Sequence, residues 1–494
     1  MSKQLSLKKV LSGISLSAVL LANAAYAETL EEALAYTYVA NPSILSQRAY
    51  LKSVYEKITQ SRSGYGPNVS GEASYGYTYT RSRTSPIFAE NESMPVSFGI
   101  NAVQPVFSGF STTASVQAAK AQFEAERANL SNVEQGALVE AVSAYTGVIR
   151  AVAVLKLNQN NESVLQRQLD YTRDRFRVGE LTKTDVAQAE ARHAGAVASR
   201  ISAEGDLKVA YAVYQKVVGK LPEKIFEPEV PAAKLPQTLD DALEIALKSN
   251  PSVLAAEKQA KGARSAVTVA QSGYYPTVDL QAGYSNMKAG AHGSATYQGN
   301  TIRTGRAREE DTNVMLVMDV PLYRSGSTVS KVRESKYAAR QAEININTIK
   351  RDAIRSTTQA WENYQATRAS LSSLEEQVKA SMLALDGVKA EEQAGARTVL
   401  DVLNAEQELL DARVSVVTAK KSLIDASYQL IASMGLMTPK GLGLDIARYR
   451  KAPEKTVEQP TQQPAQAAAT AEDAQPAELV TEPAVENAAP VVEG

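Results

Sequence analysis

The chain has 494 residues, 22 % of them charged and 44 % hydrophobic, with a formal net charge of −1. It carries no cysteine and only two histidines, His193 and His292, which excludes disulfides, thiolate nucleophiles and most zinc chemistry. So small a charge balance gives no reason to expect a nucleic-acid partner. At the start, Lys3, Lys8 and Lys9 precede an apolar run over residues 10–22, and Ala25-Tyr26-Ala27 has the small-x-small form of a cleavage site. This predicts a signal peptide over residues 1–27 and export of the remainder. The apolar run is too short to span a membrane, and no other stretch reads as a membrane helix. A membrane crossing would therefore have to be made by a β-barrel.

Internal similarity is the next signal. Thr29-Leu30-Glu31-Glu32-Ala33-Leu34 reads like Thr238-Leu239-Asp240-Asp241-Ala242-Leu243, and Asn41-Pro42-Ser43 like Asn250-Pro251-Ser252, 209 residues apart. Further on the spacing becomes 216, as between Gly179 and Gly395, Asp185 and Asp401, and Gly219 and Gly435. A fixed register over so many matches predicts an internally duplicated chain. The first repeat covers residues 28–220, a linker 221–237, the second repeat 238–437 and a short segment 438–451. Residues 452–494, rich in Pro, Ala and Glu, are expected to be disordered. The change of spacing predicts a longer loop, over residues 285–311, in the second repeat.

After Pro67 the chain alternates: Val69, Ala73, Tyr75, Tyr77 and Tyr79 on one parity, Ser70, Glu72, Ser74, Thr78 and Thr80 on the other. Val96, Phe98 and Ile100, then Val278, Leu280 and Tyr284, then Val314, Leu316 and Met318 continue this period-two pattern in three further strands. A barrel in lipid needs that alternation, although a half-buried soluble sheet shows it too. Four strands are too few to close a membrane barrel, so the membrane reading requires an oligomer. Proline marks the strand–helix junctions: Pro67 and Pro276 where helix gives way to strand, Pro105 and Pro321 where strand gives way to helix.

Residues 111–157 hold no proline, and predict a helix of roughly 70 Å, too long for a compact domain. In the second repeat Ala339, Ala342, Ile346, Ile349, Ala353 and Ala360 follow coiled-coil spacing. Turns are expected near residues 157–161 and 372–376, sending the chain back antiparallel. The returning helices are expected to break at Gly179 and Gly395, where Thr182 with Asp185, and Thr398 with Asp401, read as helix caps.

The run Arg175-Phe176-Arg177-Val178-Gly179-Glu180-Leu181-Thr182-Lys183-Thr184-Asp185-Val186, with its continuation to Arg192, resembles the signature of the TolC-like outer-membrane efflux and type I secretion family. The doubled plan, the Asn-Pro pairs and the Gly-Tyr-x-Pro before each first strand resemble it as well. The resemblance implies an α+β homotrimeric channel-tunnel: a transmembrane β-barrel taking four strands per chain, above a long antiparallel coiled-coil α-barrel. It implies the outer membrane of a Gram-negative bacterium, with a large periplasmic portion in contact with outer-membrane lipid only at the barrel. Its function would be that of a passive exit duct of a tripartite efflux pump or type I secretion system, for small toxic compounds or proteins. Its partners would be a periplasmic adaptor (membrane fusion) protein and an inner-membrane pump or ABC transporter. The family closes its tunnel with inward acidic residues, a role the resemblance carries to Asp386 and, through the repeat, to Asp170.

No phosphate loop, nucleophile elbow or metal cluster is visible, so neither a catalytic residue nor a cofactor is expected. The competing reading of the long helices is an extended coiled-coil adhesin or structural envelope protein.

Overall fold

The computed structural model describes residues 29–84, 87–222, 225–304 and 307–449. The expected signal peptide and the tail from residue 452 lie outside them.

Two short helices open the chain, α1 (Leu30–Ala40) and α2 (Pro42–Arg62). Thr29 and Glu32 close a reciprocal capping box on α1, satisfying two otherwise orphan amides. Asn41 ends α1 and caps α2: its side chain accepts from Ser43 N at 2.9 Å and donates to Val217 O at 3.0 Å. Pro42 at the first helical position needs no amide partner. At α5 (Leu239–Ser249) Thr238 accepts from Asp241 N at 3.2 Å without the return bond, and the asparagine device recurs in full at α6 (Pro251–Gln271), where Asn250 accepts from Ser252 N and donates to Ser433 O at 3.0 Å.

Each helix pair leads into a strand pair. After α2 come β1 (Asn68–Tyr75), β2 (Thr78–Thr84) and β3 (Ile87–Phe107); after α6 come β4 (Thr277–Tyr297), β5 (Asn300–Thr304) and β6 (Ala307–Asp319). β1 and β2 lie in line against β3, β3 pairs with β4, and β5 and β6 lie in line against β4, all antiparallel. The result is a sheet four strands wide.

The strands run further than the alternation indicates. The described residues of the expected 285–311 loop are strand and tight turn instead: β4 continues to Tyr297, Gln298 and Gly299 turn with positive φ of 48° and 86°, and β5 and β6 return along β4. His292 lies within β4, opposite Glu92. Two successive positive φ values form the tight turn whose twist matches a hairpin. In this extension the polar residues change parity: Asn286, Lys288 and Ser294 continue the apolar face, and small residues such as Ala289 and Ala295 fall on the other, so the period-two pattern of residues 278–284 does not carry on.

The prolines bracket the sheet. Pro67 and Pro276 directly precede β1 and β4, and Pro321 follows the end of β6. Pro105 does not end its strand: β3 runs on to Phe107, with a register shift between Pro105 and Phe107. The turn into the next helix is made instead at Gly109 and Phe110, both with positive φ, and in the second half at Ser325 and Gly326. Phe110 is held in this costly backbone region by edge-on contacts with Phe107 and Tyr275, at ring separations of 5.3 and 5.7 Å.

The helices that follow are longer than expected. α3 (Ser111–Arg177) and α7 (Ser327–Gln393) are each 67 unbroken residues, about 100 Å. No turn forms near residues 157–161 or 372–376. The polar cluster at the first site stays helical because Asn158 returns its amide to Val154 O at 2.9 Å, one turn back. Reversal occurs at the glycines: Gly179 (φ +84°) and Gly395 (φ +78°) supply the left-handed residue that ends each long helix. These glycines are therefore the hairpin tips, not breaks within returning helices. α4 (Lys183–Val218) and α8 (Val399–Ser433) run back from them.

Small residues let the helices approach closely. Ala189, Ala196 and Ala203 repeat every seven residues on α4, as do Ala353 and Ala360 on α7, and all are buried. Smaller buried clusters, around Leu165 with Leu403 and Leu385 with Leu409, lie toward the tips. The largest lies at mid-height, where Leu30, Leu34, Leu138, Tyr145, Tyr214, Ile431, Met434 and Met437 are fully enclosed. The linker closes over this core, with Tyr145 Oη donating to Phe226 O at 2.8 Å and Lys234 Nζ to Leu442 O at 2.7 Å. This core also corrects the sequence reading of α3, which does contain a stretch long and apolar enough to cross a membrane. Its Leu138, Val142, Tyr145 and Val148 are spent on the mid-height core.

Candidate channel wall and closing tip

The sheet register places the strand residues on two faces. Val69, Ala102, Ala282 and Val314 form one cross-strand row, and Tyr75 and Val96, Phe98, Leu280 and Leu316 share their face. Along β1–β2 this face is apolar from Val69 to Tyr79, about 33 Å along the strand and about 25 Å in height at a tilt of about 40°. On β4 and β6 it turns polar sooner, past Tyr284 and Val314, so Lys288 and Arg308 share a row with Val96 and Tyr75. Among the described residues nothing covers it: Val69, Tyr75, Val314 and Leu316 are all exposed. The opposite face carries Ser70, Asn101, Gly283 and Asn313 in one row and Glu72, Gly99, Ser285 and Asp311 in another. The asparagines close over Gly283: a Cβ there would meet the amide oxygens of Asn313 and Asn101 at 2.5 and 3.0 Å and push those side chains aside. Val103, Met315 and Val317 interrupt the polar face near the helices.

The helices continue the sheet. α2, α3, α6 and α7 lie side by side in the order of the strands they adjoin, and past mid-height the order is α4, α3, α8, α7. One four-element wall thus runs from strand hairpins to helix tips. Both of its side edges are open, at β1–β2 and at β5–β6.

At the tip, Thr182 accepts from Asp185 N at 3.3 Å while the Asp185 carboxylate accepts from Thr182 N at 2.8 Å. Thr398 and Asp401 repeat the arrangement at 3.3 and 3.0 Å. Bonds from the Thr182 hydroxyl and amide hold the Asp185 carboxyl below the ordinary carboxylate range. The backbone amide of Thr398, then its hydroxyl, does the same for Asp401.

One ion pair ties the two tips together. Arg175, at the end of α3, reaches Glu392, at the end of α7, with Nη1 to Oε1 at 2.6 Å, and also binds Glu180 in its own turn at 3.0 Å. Its guanidinium lies 5.4 Å from the Tyr171 ring centre. The Glu392 side chain is only 7 % exposed. A second tie runs from Arg192 on α4 to Asn404 Oδ1 on α8, at 2.7 Å. Sequence reasoning missed these links. Arg175 stood within the quoted signature, but nothing in its spacing points to a carboxylate 217 residues away.

Residues 34–220 and 242–436 match the outer membrane efflux protein family. The chain belongs to the outer membrane efflux protein family. Among relatives, it is 35 % identical to the outer membrane efflux protein BepC of Brucella suis over 432 residues, covering 87 % of this chain and 91 % of that one. It is 26 % identical to the outer membrane protein TolC of Escherichia coli over 418 residues, covering 82 % of each. The crystal structure of the outer membrane protein VceC from Vibrio cholerae shares the fold, with a TM-score of 0.66 at 20 % identity, over 82 % of this chain and 96 % of that one.

As a member of the efflux family the chain is an outer-membrane channel-tunnel protein, a conduit for export and not a catalyst. The adhesin reading falls with this membership. Asp170 and Asp386 occupy matching places in the wall, each seven residues before the end of its long helix, and each is exposed beside a buried Leu169 or Leu385. Asp170 accepts from Gln166 at 2.9 Å. The structure does not bring the two aspartates together, because α8 packs between α3 and α7.

Proposed function

We propose that three copies of this chain assemble into a continuous export duct, each contributing its four-strand sheet to a twelve-strand barrel in the outer membrane. The observation that carries this reading is the sheet itself, apolar on one face, polar on the other and unpaired at both edges. Unpaired backbone groups cannot stay in lipid, so β5–β6 of one copy must meet β1–β2 of the next. The apolar face then lies toward lipid and the polar face lines the lumen. The helical walls join edge to edge in the same order and form the periplasmic tunnel. The matched roles of Asn41 and Asn250, and of the two tip capping boxes, support a duplicated origin for the two halves.

Closure sits at the tips. Arg175 with Glu392 holds the two helical hairpins of one chain together, and opening requires that link to break. Asp386 and, more weakly, Asp170 are the constriction residues, where carboxylates from three copies would draw cations into a narrow lumen. A periplasmic adaptor and an inner-membrane pump complete the pathway by engaging the tip. Small toxic compounds are the favoured substrate class, since the relative at 35 % identity is named an efflux protein.

The test is assembly. Native extraction should give a heat-modifiable trimer in the outer-membrane fraction, and deletion should sensitise cells to dyes, bile salts or antibiotics. A water-soluble monomer would overturn the proposal. Cross-linking followed by co-purification would name the adaptor and pump.

A further inference from the structure

The strand cations are sorted by face. Arg81, Arg83, Lys288, Arg303 and Arg308 all fall on the apolar-face parity, each past the last apolar residue of its own strand line, while the polar-face parity has no lysine or arginine among the described strand residues. Carboxylates are not sorted in this way: Glu90, Glu92 and Glu310 share the cations' face, while Glu72 and Asp311 stand on the other.

Among these cations, Lys288 and Arg308 stand directly opposite each other on β4 and β6, both exposed. Like charges in that relation destabilise a strand pair. Arg81 differs, since it is matched by Glu90 at 2.7 Å. The nearest carboxylate to the opposed cations is Glu310, whose Oε2 lies 3.9 Å from Arg308. Its Oε1 is committed elsewhere, accepting from Tyr284 Oη at 2.6 Å and Asn286 Nδ2 at 3.3 Å. Lys288 makes no ion pair among the described residues. Val96 stands in the same row as the two cations, and immediately below them on the same face lie Phe98, Ile100 and Tyr284, where the apolar run of β4 ends. An ammonium and a guanidinium side by side, at the edge of the apolar surface, present donors to one multivalent anion.

We propose that Lys288 and Arg308 bind the phosphorylated headgroup of an outer-leaflet lipid whose acyl chains lie along the Phe98–Tyr284 surface. The phosphate neutralises the opposed pair, and so accounts for a contact that costs stability in its absence. This rests on reading the apolar face as the membrane face.

The experiment uses the detergent-purified full-length protein and three probes: lipopolysaccharide, the same lipid stripped of its phosphates, and inorganic phosphate. The unaltered chain should retain lipopolysaccharide roughly 30-fold more strongly than Lys288→Gln/Arg308→Gln, as two interfacial cations predict. Stripped lipid should bind the unaltered chain no better than lipopolysaccharide binds the double variant. Arg81→Gln should leave retention unchanged. The single variant Lys288→Gln should raise the Tm in lipid-free detergent, since it relieves repulsion.

Equal retention by the double variant overturns the site, as does tight binding of the stripped lipid or an equal loss in Arg81→Gln. Displacement by equimolar inorganic phosphate would mark a free-anion site and also overturns the proposal. The chain has no native cysteine, so a nitroxide at Val314→Cys reports the membrane face separately. A label reached by a water-soluble quencher refutes the barrel reading. A lipid-buried label with unchanged retention refutes the headgroup site alone.

Discussion

The tie between Arg175 and Glu392 gives the sharpest quantitative expectation. The two groups meet at 2.6 Å, with side-chain exposures of 25 % and 7 %. A largely buried, charge-assisted bond contributes about 1.5–3 kcal/mol. If this bond closes the tip, its loss should raise the open-to-closed ratio about 10- to 150-fold, at about 1.36 kcal/mol per decade. The assay is single-channel conductance in planar bilayers, run on Arg175→Gln, Glu392→Gln and the double variant. Arg175→Gln should have the larger single effect, because it leaves Glu392 buried without its cation. The double variant should fall well short of the sum of the singles. A coupling energy under about 0.5 kcal/mol, within ordinary additivity, would refute the assignment of closure to this pair.

Three further outcomes are expected. Gly219 and Gly435 both have positive φ, 99° and 81°, but a methyl on Gly435 would overlap the Ser249 carbonyl and lie 2.9 Å from Asn250 Cα, whereas one on Gly219 meets only Tyr36 at 3.6 Å. Gly435→Ala should therefore cost about 1–3 kcal/mol more than Gly219→Ala in thermal unfolding, and equal losses would contradict the packing. Asp185 is depressed in the folded state, so its capping contribution is complete above the ordinary aspartate range and is lost as pH falls through the lower folded value. Hydrogen exchange at the tip amides should accelerate in that acid window, and Thr182→Ala, at a cost of about 1 kcal/mol, should flatten the dependence. Val314→Arg, on the apolar face, should cost about 2–4 kcal/mol of barrel stability while Asn313→Arg is tolerated; heat-modifiable trimer yield measures the difference.

The elements differ in how much of themselves they showed. The alternation at residues 69–80 fixed its strand face because period two survives any twist of the sheet. The caps at Thr182 and Thr398 were readable because a capping box is local, spanning three residues. Helix length was misread at residues 157–161, since a polar Asn cluster satisfies itself inside a helix as readily as in a turn. The extent of β4 is hidden for another reason: past Tyr284 the polar residues cross to the other parity, and small Gly and Ala residues give too weak a contrast to carry the pattern on.

By itself, the sequence determined the two-faced strands, the matched halves and the over-long helices. Each is a matter of periodicity or of residues a few positions apart, where propensity and local hydrogen bonding decide. It determined the efflux family too, through a tip signature of contiguous residues. Tertiary structure alone decided the order of strands and helices in the wall and the pairing of Arg175 with Glu392. It alone set Lys288 opposite Arg308 at the edge of the apolar surface. These depend on residues up to 282 positions apart meeting across a sheet or a helix bundle. No local propensity encodes such a meeting; it follows from backbone pairing and close packing acting on the whole chain at once.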